Sequence, residues 1–364
     1  ASYVNSSFRR RNTPTSSTSH KAYGDLEYKL AKATKLKLGY DYHKVSHTYE
    51  PTTQDVEQTI KAEVKHKFNE ATSGGVAYSY SDKNADAYRG DAPLAATYAP
   101  AYLATLCSAP NPGCTGAATG RTYPWLEAPP MRKYFLDDRK RDKVRVYANF
   151  APTDSLDLHV GLDYRQDKHP EADAGFGLSN VDSWAANFDA SQRFSGSVTG
   201  HAFVTVEEYR TDQKGAALTS TPLIAPAETN TVPAANLATV SIRDRFYTFG
   251  LGLRVKPGGK FEYGGDLIHA SSNGATSFAA GAAVGALPLA DLITRRNRLE
   301  LFGRYEVQKD LSVRLTYIYE RYHSTDWGYD TLALTSVTSM VGTNQVSPKY
   351  EVHAIGISAQ YRFK

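Results

Sequence analysis

Across 364 residues that are 41% hydrophobic and 22% charged, no stretch approaches the run of about 18 apolar residues that a membrane-spanning helix needs. Much of the apolar character is aromatic, with 25 Tyr, and it is spread too thinly for the Leu/Ile/Val-rich cores of a soluble chain this long. A net charge of +4, with basic residues alternating with acidic ones instead of clustering, argues against a nucleic-acid partner.

Ala1 opens directly into strand-like sequence, either because a mature chain begins there or because the sequence is part of a longer one. The first predicted strand lies near Tyr3 to Arg9. In the next, Ala22, Gly24, Leu26, Tyr28 and Leu30 share a face. After the turn AKATK, Leu36, Leu38, Tyr40 and Tyr42 face one way, and Lys35, Lys37, Asp41 and His43 the other. From Val56 to Phe68 the alternation is sharpest. Val56, Ile60, Ala62, Val64 and Phe68 oppose Glu57, Lys61, Glu63, Lys65 and Lys67, whereas a helix would space its apolar residues by three and four. NEATS then turns the chain into a strand with Val76, Tyr78 and Tyr80 on one face.

Residues 83–142 form a predicted long loop containing CSAPNPGC. Its Cys107 and Cys114 are expected to pair as a local disulfide, which implies an oxidising compartment. The spacing is not CxxCH, so no c-type haem is attached here, and two isolated cysteines are too few for a structural zinc site. Asp137 and Asp138 beside Arg139, Lys140 and Arg141 read as a solvated charged rim. Strands follow with Val144, Val146, Ala148 and Phe150, and after PTDS with Leu156, Leu158, Val160, Leu162 and Tyr164. Trp184, Ala186, Phe188 and Phe194 precede the turn RFSGS, and Val198, Ala202, Val204 and Val206 follow it. A second long loop is expected over 211–237. Tyr247 to Val255 then descend to KPGGK, and Phe261, Tyr263 and Leu267 return. The Ala/Gly-rich segment within 272–292 is expected to be a loop or a short helix. Leu299, Leu301, Tyr305 and Val307, the turn QKD, and Leu311 to Tyr319 make another hairpin, and a last loop covers 325–348.

The closing strand carries Ile355, Ile357, Tyr361 and Phe363 on one face. This pattern predicts an all-β fold, an antiparallel transmembrane outer-membrane β-barrel of about fourteen strands, as one domain over 1–364. Short turns and long loops alternate along the chain. With Phe363 at the periplasmic rim, every short turn falls on that side and every long loop outside. Outer-membrane lipid is then the surrounding partner.

No catalytic constellation emerges. Glu207 and Glu208 are adjacent and so point to opposite faces of a strand, and no nucleophile, base and acid gather at a rim. The inner faces instead hold both signs of charge, with Lys61, Glu63, Lys65, Arg145, Asp157, His159, Asp163, Arg165, His201 and Arg304 as candidate pore or partner contacts.

The segments KLKLGYDYHKV, DDRKRDKVRVYANFAPTDSLDLHVGLDYRQD and FVTVEEYRTDQKG, with the terminal YRF, resemble the MtrB/PioB-type family, the outer-membrane barrels of porin–cytochrome electron conduits. That resemblance implies a non-enzymatic sheath for a periplasmic multihaem c-type cytochrome. It also implies an extracellular cytochrome as a partner at the loops, and haem c only in the partners. Members are typically longer, and this chain resembles their C-terminal portion. Fourteen strands about 4.8 Å apart and tilted about 40° give a barrel roughly 28 Å across, with about 15 Å clear inside. Such a lumen admits small solutes but hardly a folded cytochrome. Either further strands complete a larger barrel, or the chain is a smaller relative acting as a passive porin or solute channel.

Overall fold

The computed structural model describes residues 14–88, 133–170, 176–216, 234–282, 289–326 and 346–363. They form one antiparallel sheet of thirteen strands whose spatial order follows chain order. The strands are β1 Ser16–Ala31, β2 Thr34–Thr48, β3 Gln54–Lys67, β4 Thr72–Ala85, β5 Arg139–Thr153, β6 Leu156–Lys168, β7 Gly177–Ser195, β8 Val198–Ala216, β9 Leu237–Val255, β10 Phe261–Ala280, β11 Leu292–Gln308, β12 Leu311–Thr325 and β13 Lys349–Tyr361.

Register fixes the two faces. Ile60 of β3 stands opposite Tyr40 of β2 and Tyr80 of β4, and Ala62 opposite Leu38 and Tyr78, so the apolar positions of three strands form one surface. The pattern continues through Leu162, Leu251, Leu301, Leu315, Ile355 and Ile357, all of them exposed. Among the described residues the buried hydrophobic side chains are only Leu136, Phe176, Val181 and Phe302. A sheet with so little packed core and so wide an apolar face is unstable in water, and hydrocarbon is the solvent that removes the penalty.

The turns obey local chemistry. Asn69 accepts a 2.8 Å hydrogen bond from the Ala71 amide within NEATS. Gly258 and Gly259 in KPGGK take φ of 107° and 72°, where a side chain would strain the backbone.

Several expectations need correction. The strand near Tyr3 lies outside the described residues, so thirteen strands are described where about fourteen were expected. Of the expected 83–142 loop, residues 83–85 belong to β4 and 139–142 to β5; residues 211–216 belong to β8 and Leu237 to β9; and the Ser272–Ala280 part of the expected 272–292 loop belongs to β10, with Leu292 in β11. The reason is that the β9–β10 ladder runs unbroken from Tyr263↔Val255 to Ala280↔Ala238, and backbone pairing extends the hairpin where side-chain alternation has faded. The 49–53 connection at the long-loop rim is as short as 256–260 at the other, so turn length does not separate the rims completely. It holds Tyr49 at φ 58° and buries Pro51 and Thr52. Cys107 and Cys114 lie outside the described residues.

Among the described residues β1 pairs only with β2, and β13 only with β12, so the described sheet is open. Ile355, Ile357, Tyr361 and Phe363 are strongly exposed at that edge. Arg362 is tied back by its amide, which donates to the Asp310 carbonyl at 2.8 Å.

Candidate lumenal interaction wall

The face opposite the apolar belt is concave. One cavity of about 460 Å³ is lined from β1 to β8 by residues that include Asp25, Lys37, Lys61, Arg145, Asp163 and Tyr209. A second, of about 790 Å³ near the short-turn rim, includes Lys35, Lys65, Asp157, His159 and His201. The ten predicted contact residues therefore fall largely on a shared surface.

Cross-strand register pairs most of them. Arg145 stands directly opposite Asp163, with Nε 2.6 Å from the carboxylate. Lys61 pairs with Asp41, and Lys65 with Glu63 at 3.3 Å. Glu63 also accepts a 3.0 Å hydrogen bond from the Tyr147 hydroxyl. His159 Nδ1 lies 2.7 Å from Asn149 Oδ1. Arg165 reaches Asp167 at 3.7 Å, and Arg304 reaches Glu262 at 3.6 Å. Asp157 has no ion pair among the described residues and faces the cavity.

His201 shows how backbone choice builds a site. It stands opposite Gly252 of β9, and Gly252 stands opposite Asp266 of β10. A Cβ on Gly252 would sit 2.0 Å from the His201 ring and 2.4 Å from Asp266. Its absence lets His201 Nε2 meet Asp266 across an intervening strand at 3.2 Å, and Arg254 joins at 2.8 Å. Gly75 plays the same part for Tyr147, whose ring and hydroxyl would lie within 3 Å of an added Cβ.

The wall also contains groups that sequence reading missed. Arg141 grips Asp167 with Nε and an Nη, each at 2.6 Å, and Asp167 is only 4% exposed. Arg139 pairs with Glu57 at 2.6 Å, while His47 and Lys83 hold Asp55 at 2.7 and 3.5 Å. These groups surround residues 133–138, which fold against the wall at the long-loop rim. Leu136 is wholly buried, the Thr52 hydroxyl donates to its carbonyl at 3.2 Å, and Lys83 donates to the Phe135 carbonyl. Asp137 is 1% exposed, and Asp138 accepts from the Ala85 amide at 2.7 Å. The expected solvated rim at Asp137 and Asp138 is thus a packed one, because the chain doubles inward instead of projecting. His169 beside it is buried, with no hydrogen-bond partner for Nδ1 among the described residues. Burial pushes its pKa below the ordinary value, opposed by the Asp167 carboxylate.

On the far half, Glu300 accepts from Arg298 and Arg314, each at 3.2 Å. Phe302 carries the Arg314 and Arg254 guanidinium groups over its ring at 4.0 and 4.9 Å. Among the described residues no group of three or more His, Cys, Asp or Glu is placed to hold a metal ion.

Comparison with known proteins follows the same lines. The family model for the outer membrane beta-barrel porin MtrB/PioB matches residues 2–363. The chain is 22% identical over 353 residues to Outer membrane protein MtrB of Shewanella baltica (strain OS185), covering 96% of this chain and 44% of that relative. It therefore spans less than half the length of that relative. Among solved structures, the siderophore receptor PiuA from Acinetobacter baumannii aligns with a TM-score of 0.53 at 11% identity, over 98% of this chain and 56% of the receptor. The closed form of the ferric-catecholate import receptor Fiu from E. coli K12 aligns with a TM-score of 0.52 at 11% identity, over 96% and 56%. At such identity these two support the barrel fold alone.

Proposed function

The chain belongs to the MtrB/PioB family of outer-membrane β-barrel porins, and from that premise we propose that its charged concave wall receives a periplasmic multihaem c-type cytochrome and holds it for electron transfer across the outer membrane. The observation that carries this reading is the wall itself. Lys61, Glu63, Arg145, Asp163 and Arg165 offer both signs of charge on one concave surface, and several of their pairs are half open to solvent. Loosely held pairs exchange partners at little cost, so a polar protein surface laid against them gains charge-assisted hydrogen bonds of either sign. The haems belong to the partner, and this chain contributes position and insulation.

In this reading the short-turn rim with Tyr361 and Phe363 faces the periplasm, and the long loops face outward, where an extracellular cytochrome docks. Inside lipid an open edge leaves backbone groups unpaired at several kcal/mol each, so this reading requires both edges of the β1 to β13 sheet to be paired in the membrane.

The test is purification of the tagged chain from native membranes in mild detergent, followed by haem staining. A haem protein co-eluting with the chain, and lost about tenfold with Arg145→Glu plus Arg165→Glu, is the expected result. No haem protein in the eluate, together with high single-channel conductance in a planar bilayer, would replace this reading with the passive porin.

A further inference from the structure

The lipid-facing side is uneven in a way that the lumenal reading does not use. Outward positions ten and twelve residues above the short-turn rim lie about 25–30 Å along the barrel axis, at ~3.3 Å per residue and ~40° tilt, which is the top of the apolar band. On β2 to β7 these positions hold three lysines, Lys44, Lys140 and Lys168, against three carboxylates, Asp82, Asp142 and Asp182. On β8 to β13 they hold six cations, Arg210, Arg243, Arg245, Arg295, Arg321 and Lys349, against two carboxylates, Glu208 and Glu351. One half of the collar is balanced. The other carries a surplus of four positive charges.

Register concentrates that surplus. Arg295 stands opposite His323, and His323 opposite Lys349, in one outward row, with Arg321 on the neighbouring row between Asn297 and Glu351. Arg295, Arg321 and Lys349 are exposed, and none has an ion-pair partner among the described residues. Glu351 approaches His353 instead, at 3.8 Å. Farther round, Arg210 stands directly opposite Arg243, but there the sheet supplies its own counter-charges, Asp212 at 3.3 Å from Arg210 and Glu208 at 2.8 Å from Arg243. Directly below the row lie Leu299, Tyr319, Leu301, Tyr317 and Ile355, an apolar and aromatic surface fit for acyl chains.

We propose that the outer face of β11 to β13 binds the phosphate groups of the outer-leaflet glycolipid, lipid A, with Arg295, Arg321 and Lys349 holding the phosphates and the acyl chains lying over Leu299, Tyr317 and Ile355. The proposal rests on the orientation given above, with the long-loop rim outside. Divergent arginines suit phosphate because their planar donors engage its oxygens in pairs. A lipid bridging the row supplies the counter-charge that Arg295, Arg321 and Lys349 lack among the described residues.

The full chain, folded in detergent micelles, is titrated with bis-phosphorylated lipid A, dephosphorylated lipid A, phosphatidylglycerol and inorganic phosphate, with native mass spectrometry as the readout. Bis-phosphorylated lipid A is expected to bind at least about tenfold more tightly than the other three. Arg295→Gln, Arg321→Gln and Lys349→Gln together abolish that preference. The control Lys44→Gln, Lys140→Gln and Lys168→Gln leaves it intact. All substituted side chains lie outside the lumen, and retained heat-modifiable gel mobility verifies folding. Equal binding of phosphatidylglycerol, or equal loss in both variants, overturns the proposal in favour of a general anionic collar. Preference for inorganic phosphate overturns the lipid assignment. Loop accessibility to protease on intact cells tests the orientation separately, so an inverted barrel is distinguishable from an absent site.

Discussion

Replacing Asp167 with Asn tests the charged wall most directly, because two of its ion pairs share chemistry and differ in solvent. Asp167 takes two 2.6 Å hydrogen bonds from Arg141 and has Arg165 at 3.7 Å, and its side chain is 6% exposed beside an Arg141 that is 19% exposed. Asp163 takes a 2.6 Å bond from Arg145, but the two side chains are 41% and 62% exposed. Removing one partner of a buried pair strands the other charge at about 3–5 kcal/mol, and the neighbouring wet lumen places Asp167→Asn near 3 kcal/mol. Asp163→Asn sheds an exposed pair worth below ~1 kcal/mol. Urea unfolding of the chain folded into lipid vesicles, followed by tryptophan fluorescence and gel mobility, measures both costs. In 1 M salt the smaller cost should vanish while the larger persists. The double variant Arg141→Gln with Asp167→Asn should be less destabilised than the two single costs added together. Costs for Asp167 and Asp163 that agree within ~0.5 kcal/mol would refute the claim that burial sets the strength of these pairs.

Other outcomes follow from the same geometry. His169 titrates lower in the folded chain than in the unfolded one, so the folded state binds fewer protons: its contribution to stability is full above about pH 6.5 and is lost as pH falls from there toward the lowered value. Urea midpoints measured from pH 8 to pH 5 should fall less steeply in His169→Gln. Gly252→Ala forces His201 and Asp266 apart and should cost about 1–3 kcal/mol, whereas Gly303→Ala, whose Cβ meets only the Phe261 ring at 3.8 Å, should be within ~1 kcal/mol of neutral. Leu136→Ala empties a wholly buried site at the long-loop rim and should cost about 2–5 kcal/mol while speeding protease cleavage near residues 133–138.

Much of the architecture is written in the strands with strict alternation. Val56 to Lys67 could sit only one way, since a slip of one residue would turn Glu57, Lys61 and Glu63 into lipid. Arg145 opposite Asp163 follows once both faces are assigned. Three things escaped that reasoning. The Ala/Gly strand end at Gly274–Ala280 has no apolar period and is held by backbone pairing to β9. The burial of Leu136 and Asp137 depends on where a loop returns in space, and a run of mixed charge looks solvated until its partners are known. The His201–Asp266 contact needs a gap at Gly252, visible only when three strands are in register. A glycine flanked by apolar residues in a strand pattern, as in LGL at Leu251 to Leu253, was the available signal.

Among the described residues each strand bonds only to its sequence neighbours, from β1 through to β13. Such a meander is modular in units of one hairpin. Insertion or loss of two consecutive strands leaves the remaining ladders, their registers and the sidedness of every residue intact, so circumference can drift over evolution while the chemistry of the retained wall is inherited unchanged. Folding shares that locality, because each new strand finds its template in the segment just laid down and few distant segments must meet before pairing begins.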